Sequence, residues 1–447
     1  MNKLQKTLFL LVVFSVPVTT QSLLRSGPMV GYGQMTEVML WVQTTKAATV
    51  QFRYWASDAR GDKTLSEKLL TSEDRANTAH VLVRNLKPGT RYEYELLIDG
   101  KLEKRPYPLR FQTQPLWQWR TDPPEFTVAV ASCFYVNELE WDRPGKPYGD
   151  NFEILGELVK KSPDLMLWLG DNVYYREIDW NSVSGLRHRY THTRSYPELQ
   201  PLLGFVHHYA IWDDHDYGPN DSDRSFRLKD ESLETFKLFW ANQTYGTKET
   251  PGVFQRFEWG DVEFFMLDDR YHRSPNRAAD NQEKTMFGKA QLQWLMDALT
   301  SSNAPFKIVA GGNQLLNPTH FYEALSDYTQ EYRSLIDFLK RQKVRGVFFL
   351  SGDRHHSELV KLSDTTFYPL YDFTTSPLTA GPGNPQKELD NPARVPGTLV
   401  YDARSVGLLR FSGKRTERKV ALECWDHTGK LRWSHEIRAN DLIPPAK

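Results

Sequence analysis

The sequence predicts an α/β protein led by an antiparallel β-sandwich. Two textures predict it. The N-terminal part alternates apolar and polar residues with a period of two, and the middle carries six short, near-continuous apolar runs with helical patterns between some of them. A third observation concerns function: almost every one of those runs ends in Asp, Asn, His or Cys.

The chain of 447 residues is long enough for more than one domain. Its 40% hydrophobic and 25% charged residues are globular in balance. A formal net charge of zero gives no overall attraction to nucleic acid or to an anionic membrane. At the start, "MNKLQKTLFLLVVFSVPVTTQS" places Lys3 and Lys6 before an apolar core from Leu8 to Val16, followed by small and polar residues. This is the pattern of a signal peptide over residues 1–22, so a periplasmic or secreted location is expected. The core is about half the length of a bilayer span, and no later segment would cross one.

From residue 23 to 114 the alternation is that of paired strands. In "TVQFRYW", Val50, Phe52 and Tyr54 oppose Gln51 and Arg53; in "YEYELLI", Tyr92, Tyr94, Leu96 and Ile98 oppose Glu93 and Glu95. "NLKPGTRY" supplies a Pro-Gly turn between two such strands. "QPLWQWRTDPPE" is Pro-rich and is expected to link the sandwich to the rest, over residues 115–125.

The second domain is expected over residues 126–440. Its runs "FTVAVAS", "DLMLWLG", "HHYAIWD", "VEFFMLD", "FKIVAGG" and "VRGVFFLSG" suit strands buried on both faces of a central sheet. "NFEILGELVKK", "KAQLQWLMDALTS" and "EYRSLIDFLKR" each repeat apolar residues at helical spacing. Antiparallel strands close the domain from Gly397, with "SGKRTERK" as a basic, solvated turn.

Sites in α/β sheets gather at the carboxyl ends of strands. Single acidic residues there are ordinary turn formers. Here the ends carry Cys133, Asp171-Asn172, Asp213-Asp214-His215-Asp216, Asp268-Asp269-Arg270, Asn313-Gln314 and Asp353-Arg354-His355-His356. So many metal-ligand side chains on one rim would repel one another without cations. Two ions about 3.5–4 Å apart would suit in-line displacement at phosphorus, with a hydroxide held between them as nucleophile. Cys133 could instead pair with Cys424 as a disulfide, but its place at a strand mouth favours a thiolate ligand. Trp168, Trp212 and Phe349 are read as core, and His188, His192, His207 and His208 as structural or surface residues.

The ordered set Cys133, "GDNVYY", "WDDHD", "LDDR" and "SGDRHH", with the helix "FGKAQLQWL" and the opening "SGPMVGY", resembles the PhoD-like alkaline phosphatases of the calcineurin-like metallophosphoesterase superfamily. The resemblance covers nearly the whole chain after the leader. It implies a four-layer α/β/β/α catalytic domain and a phosphoric monoester or diester hydrolase using Fe(3+) and Ca(2+). It implies Asp171 as the carboxylate bridging both ions, with Cys133, Tyr174, Asp214, Asp353 and His355 as further ligands. His215 takes the place of the catalytic histidine, stabilising or protonating the leaving oxygen. Asn220 and Arg270 are candidate phosphate contacts, Arg270 having a salt bridge to a carboxylate as its other reading. Asp213 is the alternative to Asp214, Asp216 is an orienting residue for His215, and Asn313 stands where many relatives of the superfamily have a ligand His. The substrate would be a small or polymeric phosphate ester. The competing class is a calcium- and ligand-binding envelope protein without turnover; a positioned His215 argues against it. A glycoside hydrolase with paired carboxylates fits the Cys, Tyr and His content less well.

Overall fold

The structure is a computed structural model that describes residues 22–445, apart from residues 60 and 320 and the side chain of residue 387. The expected signal peptide therefore lies, but for Ser22, outside the described residues.

The period-two segments form strands as the alternation requires. Thr49–Ala56 pairs antiparallel with Arg91–Ile98, Val50 opposite Ile98 and Tyr54 opposite Tyr94. Phe52, Tyr54, Tyr92, Tyr94 and Leu96 turn inward to one apolar core, and Arg53 donates to Glu95 across the other face. The sheet facing this one consists of Leu24–Gly33, Val38–Thr44 and Thr78–Val83.

That facing sheet does not stop at the sandwich. Leu24–Gly33 runs parallel to His207–Ile211, with Val30 opposite His207, so the N-terminal strands extend a sheet of the α/β part to nine strands. The imidazole of His207 is buried at this seam. Its Nδ1 lies 2.9 Å from the Gly31 carbonyl and its Nε2 2.9 Å from the Gln112 carbonyl, so the ring bridges the two parts of the chain. A Pro-rich segment read as a linker gave no hint of this shared sheet.

The six apolar runs are divided between two sheets. Phe126–Ala131, Leu165–Leu169 and His207–Ile211 are parallel neighbours in the nine-stranded sheet. Val262–Met266, Phe306–Ala310 and Val347–Ser351 are parallel neighbours in a six-stranded sheet. Where the apolar runs alone suggested one central sheet, there are two packed face to face. Phe411 of the first meets Phe306 of the second at 5.6 Å, within a core common to both. Apolar residues on both faces are what this arrangement needs: one face meets the other sheet, the other meets helices.

The crossover helices form where the helical periodicity placed them. Glu153–Lys161 buries Ile154, Leu155 and Leu158, Lys289–Ser301 buries Leu295 and Leu299, and Thr329–Arg341 buries Leu335, Phe338 and Leu339. Among the described residues no helix is long and apolar enough to cross a membrane. The basic turn is less solvated than its composition suggests, because Arg418 is buried and pairs with Asp261 at 2.8 Å.

Candidate metal centre

Parallel strands within each sheet, and the packing of the sheets, bring the strand ends together. Cys133, Asp171 and His355 offer ligand atoms within 4.8 Å of one another, and so do Asp171, Asp214 and His215. Asp171 belongs to both groups. Cys133 Sγ lies 3.6 Å from Asp171 Oδ2, and the backbone N–H of His215 lies 3.3 Å from Asp171 Oδ1. Tyr174 places its hydroxyl 3.3 Å from His355 Nε2 and its ring 4.5 Å from that of His215. Asp353, His355, Asp214 and His215 line, with Asn220 and Asp221, a cavity of about 1080 Å³.

The backbone is strained at this rim. Cys133, Asp171, Asp353 and His355 all have left-handed φ, between +52° and +66°. Such conformations are uncommon outside glycine and collect where function holds them in place. No feature of the sequence announces them.

The neighbours fix how the donors face. The Gly381 carbonyl lies 2.8 Å from His355 Nδ1 and can only accept, so Nδ1 carries the proton and Nε2 presents a lone pair toward Tyr174. An imidazole held this way by a carbonyl is the usual state of a ligand histidine. Tyr148 adds its hydroxyl at 2.8 Å from the same Nδ1, and Ser376 donates to Cys133 Sγ at 3.1 Å while accepting from the His355 amide. Sequence reasoning missed both; neither "KPYGD" nor "TTSPL" carries a ligand-like pattern.

Charge is unbalanced here. Burial, reinforced by Asp214, Asp216 and Asp353, holds the Asp171 carboxyl well above its ordinary range. Burial pushes Asp353 up to about 7 and raises the Cys133 thiol and the Tyr174 hydroxyl strongly. Asp214 goes the other way: burial raises it, but His215, Arg270 and the Asp221 amide outweigh burial and hold it ionised. His215 is held below its usual value, chiefly by burial, and its Nδ1 has no hydrogen-bond partner among the described residues. The guanidiniums nearest in sequence are spent elsewhere, Arg270 on Asp213 and Glu323, and Arg354 on Glu388. A set of thiol, phenol, imidazole and carboxyl groups, buried around a shared Asp that no guanidinium pairs, fits cations.

The remaining strand-end residues do other work. Asp216 closes the turn: it accepts from the amides of Asp171, Asn172 and Asp213 at 3.2, 3.1 and 2.6 Å, and so orients the loop that carries His215. Asp213 faces away from Asp171. It accepts from Arg270 Nε at 2.5 Å and from Asn313 Nδ2 at 2.9 Å. Arg270 and Asn313 are fully buried in this network and do not line the cavity. His356, Glu358 and Glu388 also converge, but Arg394 and Arg354 already neutralise the two carboxylates. Both Cys133 and Cys424 are buried free thiols.

Two packed sheets with ligand-type side chains on a common rim define a metallophosphoesterase-like fold. Residues 128–415 match the model of the PhoD-like phosphatase family, and the chain belongs to that family. Residues 21–115 match a domain of unknown function, DUF7800. The chain is 22% identical over 369 residues to alkaline phosphatase D of Bacillus subtilis (strain 168). That match covers 68% of this chain and 61% of the relative's length. Among solved structures, one described as the structure of PhoD is similar with a TM-score of 0.75 at 18% identity, covering 94% of this chain and 93% of that one. The purple acid phosphatase PPD1 of yellow lupin (Lupinus luteus) seeds is similar with a TM-score of 0.65 at 11% identity, covering 95% of this chain and 78% of that one.

Proposed function

We propose that the protein is an exported, metal-dependent phosphoric ester hydrolase. The observation that carries this is Asp171, common to two ligand groups that meet beside His215. Cys133, Tyr174 and His355 would hold one cation, and Asp214 and Asp353 a second, with Asp171 between. The thiolate and phenolate side suits Fe(3+) and the carboxylate side Ca(2+). A bound pair would supply water activation and charge neutralisation for displacement at phosphorus.

The chain's own residues do the rest. Asp216 fixes the turn that carries His215, whose ring lines the cavity and can pass a proton to the leaving oxygen. Asn220, on the cavity wall, offers amide hydrogens to a phosphate oxygen. Asp213, Arg270 and Asn313 bond to one another beside Asp214, away from the cavity, and would not touch substrate. The positive n-region and apolar core before residue 23 support export.

The test combines metal analysis, the visible spectrum and p-nitrophenyl phosphate turnover of the wild type and Asp171→Ala. Iron with a tyrosinate-type visible band, and activity lost both on chelation and in the variant, are expected. A protein that gains no turnover from added iron and calcium would instead be the binding protein of the competing reading. Export is checked by N-terminal sequencing of the mature chain.

A further inference from the structure

The cavity at the rim is large, about 1080 Å³, at the upper end of sites for whole small molecules. A phosphoryl group needs only the part beside Asp171 and Asp353. Much of the remaining wall is Phe321, Tyr322, Asn276, Asn384 and Gln386. Phe321 and Tyr322 are 51% and 65% exposed, unusual for adjacent large rings. They meet edge to face, 4.9 Å between centroids.

These rings are held in place. The Arg354 guanidinium sits over the Tyr322 ring, 5.1 Å from its centroid. Arg354 is buried and ion-paired to Glu388, which also accepts from the Phe321 amide at 2.9 Å. One buried ion pair thus fixes both the backbone of Phe321 and one side of the Tyr322 ring. Arg354 stands between Asp353 and His355 in the chain, so the same pair ties the rings to the metal centre. A ring braced by a cation on one side and open to a cavity on the other is a stacking platform prepared in advance of its ligand.

We propose that this wall is the leaving-group subsite and that it selects phosphate esters whose alcohol carries a planar aromatic ring, with Tyr322 as the stacking surface. The proposal rests on the phosphoesterase reading above. Phe321 positions Tyr322 through its edge contact. Asn384 and Gln386, from the Pro- and Gly-rich segment 381–398, offer amides to the edge of the ring system.

The experiment compares kcat/KM for p-nitrophenyl phosphate and for an unbranched alkyl phosphate, in the full-length, metal-loaded protein. The intrinsic reactivity of the two leaving groups divides out, because only the change in their ratio between variants is read. Tyr322→Leu is expected to lower the aryl-to-alkyl ratio by roughly fivefold to a hundredfold, the range of aromatic stacking. Tyr322→Phe, which keeps the ring, is expected to hold the ratio within about twofold of wild type. A ratio that stays put in Tyr322→Leu, or falls as far in Tyr322→Phe, overturns the shelf while leaving the phosphoesterase reading intact. A loaded wild type that cleaves neither ester overturns both.

Discussion

Asp213 and Asp214 are adjacent in sequence, both buried, and belong to opposite kinds of environment. Asp213 joins a balanced network: Arg270 bridges it to Glu323, Arg273 pairs with Glu323 at 2.9 Å, and Asn313 fills the gap. In that network Arg270 and Arg273 pull Glu323 below its ordinary range despite burial. Asp214 faces Asp171; His215, Arg270 and the Asp221 amide hold Asp214 ionised, while around Asp171 like charges accumulate without a guanidinium to answer them. The lesson is that a strand-end carboxylate identifies a site only through its counter-charge. The first network carries its own guanidiniums, although burial still raises Asp213; the carboxyls around Asp171 are left for cations to answer.

The largest effects separate the two networks by function. Asp171→Asn is expected to reduce kcat by about a thousandfold or more, the order expected when charge stabilisation at the reacting centre is lost. The same change should not lower the melting temperature of the metal-free protein, because it removes one of several repelling carboxyls. A metal-free variant that melts well below wild type would break the comparison. Arg270→Ala should do the reverse in kind. By leaving Asp213 buried without its guanidinium, and Glu323 with Arg273 alone, it should destabilise the fold by about 3–5 kcal/mol in denaturant titrations.

The pH dependence follows from the same contrast. In the metal-free protein Asp353, raised to about 7, keeps its proton where the unfolded chain, with an ordinary carboxyl near ~4, has lost it. The folded state then binds more protons than the unfolded state. Stability from this group is full below about pH 4 and is lost as pH rises through about 7. Bound cations remove that loss, so the stabilisation they confer should grow across this window. Thermal unfolding with and without chelator from pH 4 to 7 checks it; a metal-induced shift that is flat with pH would contradict it.

The smallest effect sharpens the picture of the rim. Tyr148→Phe deletes the hydroxyl beside His355 Nδ1 but leaves the Gly381 carbonyl as partner. Metal affinity should fall by about tenfold, the lower end for outer-shell partners, as read by competition with a chelator.

Much of this was legible in the sequence, and the remainder was not for identifiable reasons. Apolar runs of five to seven residues with ligand-type ends reveal strands and their polar rim, because burial on both faces and site placement each leave a compositional trace. They do not reveal how strands divide between sheets, and Leu24–Gly33 joining His207–Ile211 left no trace at all, since pairing is a backbone property. Asp171 and His215 stood out through the motifs around them. The split between Asp213 and Asp214 could not, because it depends on Arg270 and Asn313 arriving from two other strand ends. Tyr148 and Ser376 act through their hydroxyls alone, and the left-handed backbone at Cys133, Asp171, Asp353 and His355 is a conformation that these residue types do not announce.

The most direct test of the central claim is a metal count on the purified protein alongside phosphate-ester turnover, for wild type and Asp171→Asn. The account predicts two cations per chain, turnover that disappears on chelation and returns on reloading, and neither tight binding nor turnover in the variant. Turnover that persists after complete chelation, or an Asp171→Asn protein that keeps both cations and its activity, would contradict it.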